Sequence, residues 1–326
     1  MNRPRIVFMG TPDFAVQSLS RLVEEDCNVV GVVTMPDKAI GRHHDVLQSS
    51  PVKKFALEKG IPVLQPEKLR DEAFLAELRA LKPDLQIVVA FRMLPQVVWA
   101  LPPLGTFNLH AALLPQYRGA APINWAIING DTETGITTFF LDEQIDTGRI
   151  ILQERVPIAL DDCAEDIHDK LMMQGAELVI KTVRLIKSGQ ATATDQSQFL
   201  TDEPLRSAPK IFKETCQIKW EEHTLKSAYD FIRGLSPYPA AWTPVIANGK
   251  ETEMKIFKAS MVKLPSDSTI KGEEKHSPFK EDLEGLHIAL PGGYLSLDEV
   301  QLAGKKRMPI ADLLRGTKIE KINNKS

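Results

Sequence analysis

The chain of 326 residues is poor in cysteine. Cys27, Cys163 and Cys216 are its only three, they are widely separated, and no Cys-x-x-Cys occurs. An odd, scattered set excludes a disulfide framework and offers neither a zinc site nor a thiol redox pair, so the three are expected to be inert thiols. Long apolar runs are also lacking. The longest, such as Leu85 to Phe91, fall far short of the roughly 20 residues a membrane helix needs. Nor is there an opening cationic stretch followed by a cleavable apolar one, since Met1-Asn2-Arg3-Pro4-Arg5 leads directly into Ile6-Val7-Phe8-Met9; cytoplasmic residence is therefore the expectation. No repeats occur. A hydrophobic share of 43%, a charged share of 25% and a net charge of −3 describe an ordinary globular protein, and the length allows two domains. Acidic residues outnumber basic ones through Ala208 and the balance reverses from Pro209 onward. That mild basicity permits a polyanionic partner without requiring one.

What is present is a rhythm. Short β-branched runs at Ile6 to Met9, Val29 to Thr34, Leu85 to Ala90 and Thr106 to His110 alternate with helical patterns, the signature of a mostly parallel α/β sheet. One helix is punctuated at both ends: Ser50 as N-cap, Pro51 at the first position and Gly60 just past Val52 to Lys59. A second lies around Asp71 to Leu81, and Gly135 to Leu141 and Ile150 to Val156 read as further strands. The stretch from Ala164 to Ser188 carries helical spacing, opened by an Asp162-x-x-Glu165 capping box and closed by Gly189. Residues 1–190 thus form one domain, and the polar, aperiodic 191–208 a linker. Residues 209–326 form a second domain, beginning with a helix near Thr224 to Gly234, then Pro237 and Pro239, then short alternating runs that suit a small β-barrel. Its far end is an amphipathic segment, Met308 to Arg315, and a polar tail, Gly316 to Ser326, expected to be loosely ordered.

One motif is missing where it would matter. After the first strand comes Gly10-Thr11-Pro12-Asp13-Phe14 rather than Gly-x-Gly-x-x-Gly, which disfavours nicotinamide or flavin binding. The chemistry lies elsewhere. In Phe107-Asn108-Leu109-His110 the period of two puts Asn108 and His110 on one side of a strand, with Phe107 and Leu109 in apolar packing. Asp146, in Ile145-Asp146-Thr147-Gly148, adds a carboxylate. An amide for a developing oxyanion, an imidazole that titrates near neutrality and an Asp to orient it suit acyl transfer to a nitrogen. Singly they decide nothing, because a strand His is often structural and an Asp-Thr-Gly often a turn. Pro36 to Ser49 is a long irregular insertion carrying Lys38, Arg42, His43 and His44, either a phosphate-contacting loop or a solvated one. The two histidines lack the further ligands a metal would need, and no metal is expected.

Together these pieces resemble the methionyl-tRNA formyltransferase family over nearly the whole chain. They are Phe8 to Ala15, Gly41-Arg42 leading to Ser50-Pro51-Val52-Lys53, Asn108 to Pro115, Arg118 to Ile123, Asp146-Thr147-Gly148, and Pro237-Tyr238-Pro239 with Trp242. The resemblance implies a Rossmann-like formyltransferase domain followed by an OB-like barrel, with 10-formyltetrahydrofolate as donor and the methionine amino group of initiator methionyl-tRNA as acceptor. It implies catalytic roles for Asn108, His110 and Asp146 and a folate-lining turn at Ala112, Leu113, Leu114 and Pro115. It also implies tRNA contact at Arg42, further backbone contacts from the C-terminal domain, and a monomer. Two positions depart from the family: Ala112 where Ser is common, and Arg149 where an acid or amide often follows Asp-Thr-Gly. Arg149 either places a cation near Asp146 or points to solvent. The competing readings are a formyltransferase acting on a nucleotide-linked amino sugar, which would keep the same trio, and a non-catalytic folate- or tRNA-binding protein.

Overall fold

The computed structural model describes residues 3–40, 46–263, 279–282 and 285–322. Contacts divide the chain into two units, one of Met1–Gly119, Thr134–Val156 and His168–Ala208, the other of Ala120–Glu133, Pro157–Ile167 and Pro209–Ser326. The first part of the chain runs β1 (Ile6–Gly10), α1 (Asp13–Glu24), β2 (Val29–Val33), β3 (Lys38–Ile40), β4 (Val46–Gln48), α2 (Pro51–Glu58), β5 (Val63–Leu64) and α3 (Glu72–Ala80). It continues with β6 (Leu85–Val89), α4 (Gln96–Trp99), β7 (Thr106–His110), β8 (Arg118–Gly119), α5 (Pro122–Ile128), β9 (Glu133–Phe140), β10 (Ile150–Pro157) and α6 (Ala164–Lys187).

The first unit is Rossmann-like. Its main sheet has the order β10-β9-β7-β6-β1-β2-β5, parallel from β7 through β5, with β9 laid antiparallel on β7. Every residue of β1 and β6 is buried, as a central parallel strand covered on both faces requires. On one face Val7, Met9, Val33 and Val88 pack with Phe74, Leu75 and Leu78 of α3. The α2 cap is as the sequence predicts, the Ser50 hydroxyl accepting from Lys53 N at 3.0 Å with Pro51 first in the helix. At α6 the N-cap is Cys163, one residue later than expected: its N–H donates to the Asp166 carboxylate at 2.8 Å, while Asp162 Oδ2 accepts from Ala159 N. The 36–49 insertion is also more regular than its composition implies, because β3 and β4 pair antiparallel. Asp37 anchors its base through Lys53 Nζ (2.6 Å) and Gln65 Nε2 (2.9 Å), and these partners, Lys53 first, hold its carboxyl below the usual range. Arg42, His43 and His44 lie outside the described residues.

The 191–208 stretch, aperiodic in sequence, is folded onto this unit. Thr194 exchanges backbone hydrogen bonds with Ile150, Gln196–Phe199 form a short 3-10 helix, and β11 (Ser207–Ala208) pairs parallel with β8.

In the second unit, helix α7 (Leu225–Gly234) starts with a full Thr224/Ser227 capping box. It packs against α5 and on β13 (Lys250–Lys263) and β16 (Gly293–Leu302), two of the antiparallel strands that also include β12 (Ala241–Ala247), β14 (Phe279–Asp282) and β15 (Gly285–Leu290). The chain then adds β17 (Met308–Pro309), α8 (Ile310–Leu314) and β18 (Ile319–Ile322). The order β14-β15-β16-β13-β12-β18, with β17 on β16, is an OB-like antiparallel sheet around a core that includes Val245, Ile256, Leu286, Ile288, Leu297 and Val300. Two corrections follow. The amphipathic segment at 308–315 divides into β17 and α8, and the supposedly loose tail supplies β18, which pairs with β12. Among the described residues no helix is long and apolar enough to cross a membrane.

Candidate active site

Strand β7 ends at the candidate site. Phe107 is fully buried and Leu109 nearly so, and Leu109 packs so closely on Gly175 of α6 that a Cβ there would lie 2.8 Å from Leu109 Cδ2. The alternation then turns Asn108 and His110 to the opposite face. Asn108 is half-buried. His110 is 6% exposed, and its Nε2 lies 2.8 Å from the Tyr117 carbonyl oxygen. A carbonyl only accepts, so Nε2 carries the proton, and the neutral ring presents a bare Nδ1. The tautomer is thus fixed by a backbone oxygen and not by Asp146, the orienting group that the sequence suggests.

Nδ1 faces Asp146 Oδ2 at 3.9 Å. Asp146 lies in the β9–β10 loop at φ 55°, a left-handed conformation that costs a non-glycine residue roughly 1–2 kcal/mol. Neighbours hold it there. Gly119 N donates to Asp146 Oδ2 (2.9 Å), and the buried Gln196 donates to the carbonyls of Asp146 (2.9 Å) and Gly148 (2.8 Å). Thr147 Oγ1 and Gln144 N both donate to Asp142 Oδ1. Gly148 is obligatory, because a Cβ there would stand 1.6 Å from the Phe140 carbonyl oxygen. The charge of Arg149 acts on Asp195, whose carboxyl is held low first by hydrogen bonds from Ser197 and last by Arg149.

Of the four turn residues assigned to folate, Ala112, Leu114 and Pro115 are buried and Leu113 is half-buried. Much of the turn's backbone is already committed. Thr137 Oγ1 donates to Ala112 O (2.6 Å) and receives Leu114 N (3.2 Å), Gln153 Nε2 donates to Leu114 O (2.7 Å), and Gln116 N donates to Leu113 O (3.0 Å). This turn therefore offers a ligand shape and apolar surface, chiefly at Leu113, more than hydrogen bonds. Tyr117 N is bound to Arg206 O (2.7 Å) and Tyr117 OH to Arg206 Nη1 (3.1 Å), so residues 191–208 fix the carbonyl that holds His110. Tyr117, Thr137, Gln153 and Gln196 escape a sequence reading, since none belongs to a motif, Tyr117 acts through its backbone carbonyl, and the other three reach partners distant in sequence.

Burial pushes the Cys27, Cys163 and Cys216 thiols up, and all three are free. Little thiolate is available for nucleophilic work. Among the described residues no group of three or more His, Cys, Asp or Glu is placed to hold a metal ion.

A buried imidazole, a carboxylate beside it and an amide on the same strand face are an arrangement chemically able to support acid–base group transfer, set on a Rossmann-like sheet. The chain belongs to the formyl transferase family: the formyl transferase pattern matches residues 4–183 and the formyl transferase C-terminal domain pattern residues 210–318. It is 60% identical over 316 residues to the methionyl-tRNA formyltransferase of Parabacteroides distasonis, covering 96% of each chain. It is 55% identical over 320 residues to that of Bacteroides thetaiotaomicron, covering 97% of this chain and 96% of the other. Among solved structures it resembles a sugar 3N-formyl transferase determined with dTDP and 5-N-formyl-THF, with TM-score 0.64 and 21% identity over 94% of this chain and 100% of that one. It also resembles HypX of Aquifex aeolicus with tetrahydrofolic acid, with TM-score 0.62 and 19% identity over 96% of this chain and 47% of that one. At those identities the two structures speak for the fold.

Proposed function

We propose that this enzyme transfers the formyl group of 10-formyltetrahydrofolate to the methionine amino group of initiator methionyl-tRNA, giving N-formylmethionyl-tRNA for translation initiation. The observation that carries the reading is the agreement with methionyl-tRNA formyltransferases at 55–60% identity over both units of the chain. The amino-sugar reading has only fold-level support, from a neighbour at 21% identity.

The site's geometry suits the reaction. The amine nitrogen forms a bond to the formyl carbon and the bond from that carbon to the folate nitrogen breaks. One proton leaves the attacking nitrogen and one reaches the departing nitrogen, so no net proton is gained. His110 Nδ1 and Asp146 Oδ2 are two acceptors facing one space, suited to receive the proton the amine must lose and to return it to the leaving group. The Asn108 side-chain amide can donate to the oxyanion that grows on the formyl oxygen. No covalent enzyme intermediate is required. In this reading the first unit performs the chemistry, the turn at Ala112, Leu113, Leu114 and Pro115 walls the folate, Arg42 meets the tRNA acceptor end, and the OB-like unit adds phosphate contacts. The enzyme acts as a monomer.

The test is formyl transfer from 10-formyltetrahydrofolate with charged initiator tRNA, a nucleotide-linked amino sugar serving as the competing acceptor. Formylmethionyl-tRNA as the product supports the proposal. Formylation of the sugar alone, or of neither, overturns it.

A further inference from the structure

Gln196 is the least conspicuous residue near Asp146 and the most heavily bonded. It is 4% exposed. Its Nε2 donates to the carbonyls of Asp146 (2.9 Å) and Gly148 (2.8 Å), and its Oε1 accepts from Arg118 Nη2 (2.6 Å) and Nε (3.1 Å). A primary amide has two N–H donors and two acceptor lone pairs, so all four are in use. Its own backbone is held as well: Asp195 Oδ1 caps the short helix by accepting from Ser197 N at 2.8 Å, and Thr194 is bridged to Ile150.

These bonds close a circuit. One amide grips the backbone on both sides of Thr147 and so restrains the left-handed turn at Asp146, a conformation that survives only where its surroundings impose it. The same amide holds the side chain of Arg118, and the next residue, Gly119, donates its N–H to Asp146 Oδ2. Backbone and carboxylate of Asp146 are therefore fixed through Gln196 from two directions.

We propose that Gln196 is the positioning residue for Asp146, holding its carboxylate in line with His110 Nδ1 during formyl transfer. The inference rests on the function proposed above. It is tested by steady-state kinetics of wild type, Gln196→Met, Gln196→Glu, Asp146→Asn and the Gln196→Met/Asp146→Asn pair, with methionyl-tRNA and 10-formyltetrahydrofolate each varied.

Gln196→Met removes both donors, and kcat should fall on the order of 10- to 100-fold, the cost of a small misplacement of a catalytic group, with both KM values within about threefold. Gln196→Glu keeps the size and an oxygen for Arg118 but sets a carboxylate oxygen against two carbonyls. It should lose at least as much kcat as Gln196→Met, and it provides the same test should the methionine variant fold poorly. A residue that acts through Asp146 has nothing left to position once that carboxylate is gone. The double variant should therefore be no slower than Asp146→Asn alone within about twofold. A wild-type rate in either Gln196 variant, a loss confined to KM, or a double variant slowed by the product of the two single losses would each overturn the assignment. A wild-type protein silent toward methionyl-tRNA would instead overturn the function reading, and this inference with it.

Discussion

His110 Nδ1 and Asp146 Oδ2 stand 3.9 Å apart, while the other nitrogen of the ring is held by the Tyr117 carbonyl at 2.8 Å. With Nε2–H committed to that carbonyl, Nδ1 is the ring nitrogen turned toward the carboxylate, and 3.9 Å is longer than a hydrogen bond.

Replacing Asp146 by Asn removes that carboxylate and leaves an amide oxygen for Gly119 N–H. Turnover should fall roughly a hundredfold or more, the usual contribution of a positioned acid–base group, with melting temperature and folate binding little changed. His110→Ala should behave likewise. Near-normal turnover in either variant, measured in the formyl-transfer assay, would remove that residue from the mechanism.

Thr137 is the peg of the 112–115 turn, bonded to Ala112 O, Leu114 N and Gln153 Nε2. Thr137→Val keeps the shape and strips all three partners, so stability should drop by about 1–3 kcal/mol and the donor's KM should rise. Ala112→Ser is the milder change and should fold normally, altering the donor's KM by no more than a few-fold, since one neutral hydrogen bond contributes about 0.5–1.5 kcal/mol. Urea unfolding and donor titration of both variants check the pair of outcomes, and an unchanged KM in Thr137→Val would detach the turn from folate.

Gly148→Ala should destabilise by at least about 1–3 kcal/mol, as overpacking generally does, and abolish activity, because the new methyl group would collide with the Phe140 carbonyl. Gly189→Ala is the control. That glycine has φ 71° and open space around its Cα, so only backbone strain of about 1–2 kcal/mol is expected, with turnover intact. Chemical denaturation alongside the activity assay separates steric from conformational cost.

Arg42→Ala should raise the KM for initiator tRNA or lower kcat/KM, and reduce the slope of activity against salt by about one phosphate contact, while donor binding stays intact. Identical salt slopes and kcat/KM in the two proteins would take the loop out of tRNA recognition.

The parts of this molecule visible in its sequence are those that local periodicity and end-punctuation encode. Strand β7 shows its alternation in Phe107 to His110, and helix α2 shows its cap, its Pro51 and its Gly60. The candidate trio is legible because two of its members share one strand face. Tyr117 is not, because it acts through its carbonyl, which every residue possesses. Gln196 is not, because it lies in an aperiodic stretch and its partners are some 48 and 50 residues away at the loop carbonyls. The pair β8 and β11, two residues each, is too short for any pattern to register, and β18 hides in a polar tail because its two apolar residues, Ile319 and Ile322, are three apart and break the period of two, matching the irregular register of its pairing with β12.

The second unit takes in Ala120–Glu133 and Pro157–Ile167 as well as everything from Pro209, and Asn124 Nδ2 in α5 donates to Gly234 O at the end of α7. The chain therefore leaves the first unit and returns to it twice. No single peptide-bond cleavage can release the two as intact halves. A chimaera that exchanged only the portion after residue 208 would leave a foreign α5 and a foreign 157–167 segment facing the new partner. Transplanting the second unit between relatives thus requires three grafts in concert, with Arg233, which donates to Asp162 O at 2.7 Å and pairs with Asp230 at 2.8 Å, as the seam to preserve.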